Sequence, residues 1–251
     1  MWFYKNDKTK PIFTAENNMK SDHRNSIIQL PNTALLIYMR GIEYIKEKYE
    51  SELISEHFPR FLNACPIYMV HGKNDICVLD GGRGAPMAAD TIETLHAIGV
   101  KNIISVGMIG GFSEDINVGD IVIPNKAYSE EGTSLHYYES LEYSTPNKTL
   151  FYKLKKGLCN YKIAPIISTD GIFRQTFYKE NLRRKKGCVG VDMETSALMS
   201  VGKYLNMKVA SVLMVSDKHP LHERDEVWKW KINTDLRKQF LYQVIEVVLS
   251  I

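Results

Sequence analysis

The chain has 251 residues, 44% of them hydrophobic and 24% charged, with a formal net charge of +3. That make-up suits one folded globular domain with a substantial core and excludes a disordered or low-complexity chain. Lys and Arg are scattered, which argues against a nucleic-acid binder, and no run approaches the roughly 18 apolar residues of a membrane span. The four basic residues at 183–186 read as a solvated turn. The four cysteines form no C-x-x-C pair and are expected as reduced thiols in a cytoplasmic protein. The N-terminal "MWFYKNDKTKPIF" has no sustained apolar run, so no signal peptide is expected.

Residues 1–60 are the least legible and are expected to form one or two helices, with 33–50 the best candidate. "PIYMVHG" (66–72) and "DICVLDGG" (75–82) read as short strands. "PMAADTIETLHAIG" (86–99) places Ala89, Ile92, Leu95 and Ile98 at helical spacing and stops at Gly99. "KNIISVG" (101–107) is a buried strand, and "VGDIVIPN" (118–125) is another that Pro124 closes. "EEGTSLHYY" (130–138) has no clear period and reads either as an exposed loop or as a loop over a pocket. Strands at 162–169 and 208–217 and an amphipathic helix at 234–249 complete the chain. Alternating β and α segments with apolar strands predict an α/β fold around a largely buried, mixed or parallel sheet.

Four places set unusual residues at strand ends, where open α/β sheets collect ligands. "LDGGRGAP" (79–86) and "SVGMIGGF" (105–112) are glycine-rich. Glycines let a backbone approach an anion, and a helix start favours negative charge; a plain tight turn explains the first stretch equally well. The third is the 130–138 stretch. The fourth is Asp217, which follows an apolar strand and is either a helix N-cap or a catalytic acid. In "GCVGVDMETSALMSVGKYL" (187–205), Ala197, Leu198, Val201 and Leu205 lie +3, +4, +7 and +11 from Glu194. Glu194 therefore shares the apolar face, one turn into a helix, and a carboxylate there calls for a partner.

Over residues 76–217 these motifs resemble the nucleoside phosphorylase family, which includes uridine phosphorylase, hexameric purine nucleoside phosphorylase and the methylthioadenosine/S-adenosylhomocysteine nucleosidases. "GGRGAPMAADTIETLHAIGVKNIISVGMIGGFSEDINVGDIVIP", the ribose signature "VDMETSAL" and the strand end "LMVSD" carry the resemblance. "IFTAENN" and "SEEGTSLHYY" suggest a divergent, uridine-phosphorylase-like branch.

The resemblance implies a single-domain, three-layer α/β/α fold with a central mixed sheet. It implies that Glu194 accepts hydrogen bonds from the ribose hydroxyls, kept ionised by the helix N-terminus, with Met193 beneath the sugar. Asp192 stands where the family usually has Glu. Asp217 would protonate the departing purine at N7, as an acid of raised pKa. Ile172 and Phe173 would wall the base, Arg174 and Gln175 could instead hydrogen-bond a pyrimidine, and Gly82 and Gly107 would border the pocket. The N-terminal "G-D-P-x-R" phosphate loop is missing, Ser105 stands where phosphorylases carry Arg, and Met108 where they carry Ser or Thr. Arg83 could restore a guanidinium to that space. The expected reaction is phosphorolysis to free base and ribose 1-phosphate, with phosphate as co-substrate and no metal or organic cofactor. Two alternatives stay open: hydrolysis, with Glu16 the early candidate to activate water, and a non-catalytic nucleoside-binding relative. A homo-oligomer, dimer or trimer of dimers, is implied, with neither nucleic acid nor membrane as partner.

Overall fold

The computed structural model describes residues 2–21, 28–228 and 233–251. A short helix α1 (Ala15–Met19) is followed by β1 (Thr33–Ile37), α2 (Ile42–Lys48) and β2 (Ser51–Ser55). The expected helix at 33–50 is thus a strand and a helix. Thr33–Ile37 is a β-branched and apolar run without helical spacing, and it pairs in parallel with two other strands. Next come β3 (Ile67–Val70), β4 (Ile76–Asp80), α3 (Ala85–Ile98), β5 (Asn102–Gly111) and β6 (Ile121–Glu130). β7 (Tyr143–Ser144), α4 (Lys148–Gly157), β8 (Tyr161–Thr169), α5 (Phe177–Lys185) and β9 (Gly190–Asp192) follow. The chain closes with α6 (Thr195–Tyr204), β10 (Lys208–Lys218) and α7 (Thr234–Ser250). Pro124 does not end β6: the strand passes through it with a register shift between Pro124 and Lys126.

The strands form one mixed sheet in the order β10-β6-β8-β9-β5-β1-β4-β3-β2, with β7 against β6. β10 also pairs in parallel with β5. The strands β5, β10, β6, β8 and β9 therefore close into a ring, and β1, β4, β3 and β2 extend from it. Helices cover both faces. Leu36, Leu79, Ile103 and Val209 pack under Ile92 and Leu95 of α3 and Leu198 and Val201 of α6. On the other face Leu35, Val78, Ile104 and Val212 pack under Leu154 of α4 and Val244 and Ile245 of α7. Alternating strand residues thus serve opposite layers, and α3 ends at Gly99, in the left-handed conformation (φ +106°), as its glycine foretells.

The basic run is not a solvated turn. Arg183 is buried, and its guanidinium pairs with Glu130 and donates to Gln175 Oε1. Arg184 donates to the Phe112 carbonyl.

Candidate active site

The end of β5 gathers the chemistry. Gly110 pairs with Val191 on β9 and with Asp217 on β10. The turn that carries Asp192, Met193 and Glu194 therefore leaves the sheet on one side of Gly110, with Asp217 on the other.

Glu194 is the N-cap residue of α6, not a residue one turn inside it. The helix begins at Thr195 because the Asp192 carboxylate takes the Thr195 N–H (3.1 Å) and hydroxyl (2.5 Å). Asp192 also accepts from Ser168 Oγ at 2.5 Å. It is buried and fully engaged, a clamp that fixes the turn. Glu194 is left free to swing across to the glycine loop, where the Gly84 N–H donates to its Oε1 at 2.7 Å. The anion cradled by "GGRG" is thus the protein's own carboxylate. Met193 is half-buried beside it.

The expected electrostatics of Glu194 are reversed. Desolvation, with the Asp192 charge adding to it, pushes its carboxyl up to about 8, against the opposing pull of Gly84, Met193 and Arg83. The capping bond to the Thr195 N–H comes from Asp192 and none comes from Glu194, so position at the helix start does not offset the burial of Glu194.

Asp217 shows the opposite pattern. It is 3% exposed and lies within β10, which continues through Lys218, so it caps no helix. Its Oδ1 accepts from Ser216 Oγ at 2.5 Å, and its Oδ2 accepts from the Trp228 indole N–H at 2.7 Å. His219 Nε2 lies 3.5 Å from Oδ2. Burial raises its pKa, but the bonds from His219, Ser216 and Trp228 outweigh this and leave it lowered. The acid of raised pKa is therefore not present: Asp217 is a carboxylate. The proton resides on His219, which also binds Glu180 Oε1 through Nδ1 at 2.6 Å. Although burial opposes it, bonding to the two carboxylates lifts the imidazole to about 9.

On the anion side the expected positions differ in kind. Arg83 is exposed and its charge reaches Glu194. Ser105 is 1% exposed, and its hydroxyl donates to Ser211 Oγ at 2.6 Å across two strands. Its side chain belongs to the core. Met108 packs on the α7 face and lines a small cleft with Val118, Met214 and Leu236. Gly82 has φ +77°, and a Cβ there would stand 2.9 Å from Met87 Cβ and 3.1 Å from Arg60 Nη1. Its role is to seat that loop on α3 and on Arg60. Arg60 is buried and holds the carbonyls of Leu62, Asn63 and Asp80. Glu16 lies on the surface of α1, paired with Lys20 at 2.5 Å.

Tyr38 occupies the space that the glycines vacate. A Cβ on Gly81 would fall 2.3 Å from its ring, and one on Gly107 would sit 3.3 Å from its Cβ. Its hydroxyl is buried and has no hydrogen-bond partner among the described residues, and desolvation with the nearby Glu194 charge drives its pKa well up.

The base-binding segment is mostly solvent-facing. Ile172, Phe173 and Arg174 form a single 3-10 turn, with Phe173 92% exposed. They do not form an apolar wall within the single chain. Gln175 is held by Arg183 and by the Gly171 carbonyl. The 130–138 stretch is not an exposed loop. Glu131 is buried and accepts from Ser129, Ser134 and Ser196, tying β6 to α6.

The phosphorylase superfamily model matches residues 43–250. The chain belongs to the phosphorylase superfamily. Among its relatives in the superfamily is a DeoD-type purine nucleoside phosphorylase of Shewanella oneidensis, 27% identical over 226 residues and covering 86% of this chain and 92% of the relative. The corresponding Buchnera aphidicola enzyme is 26% identical over 210 residues, covering 81% and 87%. A guanosine phosphorylase of Halorubrum lacusprofundi is 24% identical, covering 66% and 69%. Among solved structures, AMP nucleosidase from Bacteroides thetaiotaomicron superposes with a TM-score of 0.66 at 21% identity, over 87% of each chain. That likeness shows that the superfamily's mixed α/β fold is preserved.

Tyr38, Glu180 and His219 escaped the sequence reading. Tyr38 lies in a segment expected to be helical, and Glu180 lies on α5, for which the sequence predicted no element. His219 stands two residues beyond Asp217, on the same strand end, and that proximity was the available signal.

Proposed function

We propose that this chain cleaves the N-glycosidic bond of a purine ribonucleoside by phosphorolysis, as a pentosyltransferase of nucleoside salvage. The observation that carries the reading is Glu194: a buried carboxylate anchored on the Gly84 N–H, across the β5 end from Asp217. Among the described residues its Oε2 accepts only from the adjacent Met193 N–H, at 3.3 Å, which leaves capacity for the 2′- and 3′-hydroxyls of a ribose. Holding the sugar there orients C1′ for an oxocarbenium-like transition state, with the base departing toward Asp217. Purine is favoured over uracil because Gln175, the expected pyrimidine reader, is occupied by Arg183. The purine names of the relatives point the same way. Arg83 would supply the cation for phosphate, which is a co-substrate rather than a cofactor. A homo-oligomer would cover Ile172 and Phe173.

One observation favours a second reading, hydrolysis. The Tyr38 side chain packs on Gly81 through its ring and on Gly107 through its Cβ, and the Ser105 hydroxyl is turned to Ser211 rather than to a phosphate. A nucleoside panel assayed with and without phosphate separates the two readings. Ribose 1-phosphate formed only with phosphate supports phosphorolysis. Free ribose formed at the same rate without phosphate makes the protein a nucleosidase. Tight nucleoside binding with no turnover makes it a binding relative.

A further inference from the structure

A glutamate, a histidine and an aspartate stand in line beside the proposed base position, and the superfamily's purine mechanism as read from sequence uses only the last of them. Glu180 of α5 is 4% exposed, on a helix whose other faces are mostly polar and exposed. Its carboxylate is 2.6 Å from His219 Nδ1, and Nε2 on the opposite side of the same ring is 3.5 Å from Asp217 Oδ2. Three further contacts fix the imidazole. The His219 backbone N–H donates to the Gly111 carbonyl at 2.8 Å, which fixes where the side chain starts. The Phe112 ring centroid lies 6.5 Å from the imidazole centroid. A Cβ on Gly110 would fall 2.5 Å from Nε2, so glycine there gives the ring its seat against β5. The charged groups acting on the ring are Glu180 from α5 and Asp217 from β10. The adjacent Lys218 turns away to the carbonyls of Glu114 and Ile116.

We propose that His219 is the proton store for the departing base, acting through Asp217, and that Glu180 holds it in the donating orientation. This rests on the glycosidase reading above. In the step, the C1′–N9 bond breaks and its electron pair passes to the purine. The proton on His219 Nε2 moves to Asp217 Oδ2 and from there to N7. His219 is left neutral, with its Nδ1–H still donating to Glu180. Water returns the proton after the base leaves, and nothing is oxidised or reduced. N7 takes the place at Asp217 now held by the Trp228 indole. His219 touches neither sugar nor base and is a positioning residue. The arrangement accounts for Asp217 being ionised when the base departs: its acid form is made on demand by the neighbour.

The test compares two leaving groups. Inosine needs protonation at the base, whereas 4-nitrophenyl β-ribofuranoside leaves as a stable anion without it. In His219→Gln, kcat on inosine should fall by about 10²–10⁴-fold, the scale of general acid catalysis, while the nitrophenyl riboside changes by less than about tenfold. Glu180→Gln should move the alkaline limb of kcat/KM on inosine to lower pH, and Glu180→Asp should restore it. Independently of turnover, the His219 ring-proton NMR signal should titrate near pH 9 in the wild type and lower in Glu180→Gln. Equal losses on both substrates in a folded His219→Gln, or an unmoved His219 titration in Glu180→Gln, overturn the relay alone. A wild type that cleaves neither substrate overturns the glycosidase reading and the relay together.

Discussion

Replacing Glu194 by Gln should make the protein more stable and less active, and the gain should grow with pH. The carboxyl titrates at 4.5 when free and at about 8 in the folded chain. A proton is therefore bound more tightly in the fold. The favourable contribution is complete below about pH 4.5 and is lost as pH rises through about 8. Between 4.5 and 7 each pH unit costs about 1.4 kcal/mol, which gives about 3 kcal/mol at pH 7. The amide of Gln still accepts the Gly84 N–H but brings donors that need partners, an offset of about 1–2 kcal/mol. A net gain of about 1–2 kcal/mol at pH 7 corresponds to roughly 2–8 °C in Tm for a chain of this size. Thermal melts of both proteins at pH 5, 7 and 8 read the difference directly. It should be near zero or negative at pH 5 and positive at pH 8, while kcat/KM falls by about 2–4 kcal/mol of transition-state binding. A Tm difference independent of pH would show that Glu194 is not held under electrostatic strain, and unchanged kcat/KM would remove it from the site.

Arg83→Ala should raise the phosphate KM strongly with little effect on nucleoside KM; a phosphate KM unchanged in steady-state assays excludes Arg83 as the anion ligand. Tyr38→Phe removes a buried hydroxyl that has no partner among the described residues, so it should leave stability unchanged or raise it by up to about 1–2 kcal/mol in a urea melt; a large loss would reveal a partner for that oxygen. Asp217→Asn leaves His219 with one carboxylate instead of two. Inosine turnover should fall about 10²–10⁴-fold and the His219 titration should drop below about 9; a titration that stays put would contradict the ion pair. In the wild type, kcat/KM should be bell-shaped, rising with Glu194 ionisation near 8 and falling with His219 deprotonation near 9. A plateau from pH 5 to 7 would refute the first of these roles.

The apolar strands and the α3 helix were legible because burial and period agreed in each. Leu95 and Ile92 lie where the spacing put them, and Gly99 ended the helix as its conformation requires. The inward face of α6 was also legible, since Ala197, Leu198 and Val201 are buried. The start of that helix was not. "DMET" holds two carboxylates that could each cap it, and only the fold shows that Asp192 does so and frees Glu194. The strand at Thr33–Ile37 was hidden because four apolar residues, Ala34 to Ile37, followed by a helical segment blur into one pattern. The glycines of "GGRG" and "SVGMIGG" were read as room for an anion. They are room for side chains of this same protein: Gly81 for the Tyr38 ring and Gly110 for the His219 imidazole. A contact between residues so far apart in the chain leaves no local period to read.

The closed ring of five strands also decides how copies of this chain can meet. In an open sheet both outer strands offer unpaired backbone to a neighbour. Here β10, at one end of the strand order, is already paired on both sides by β5 and β6. Among the described residues, β2 is left as the outermost strand of the extension. It is five residues long, interrupted by a register shift between Leu53 and Ser55, and it carries the exposed Glu52 between Glu50 and Glu56. Short length, irregular register and like charge are the features that deter strand addition and the aggregation that follows from it. A homo-oligomer of this chain would thereby be steered to helix faces and loops, where side chains rather than backbone choose the partner.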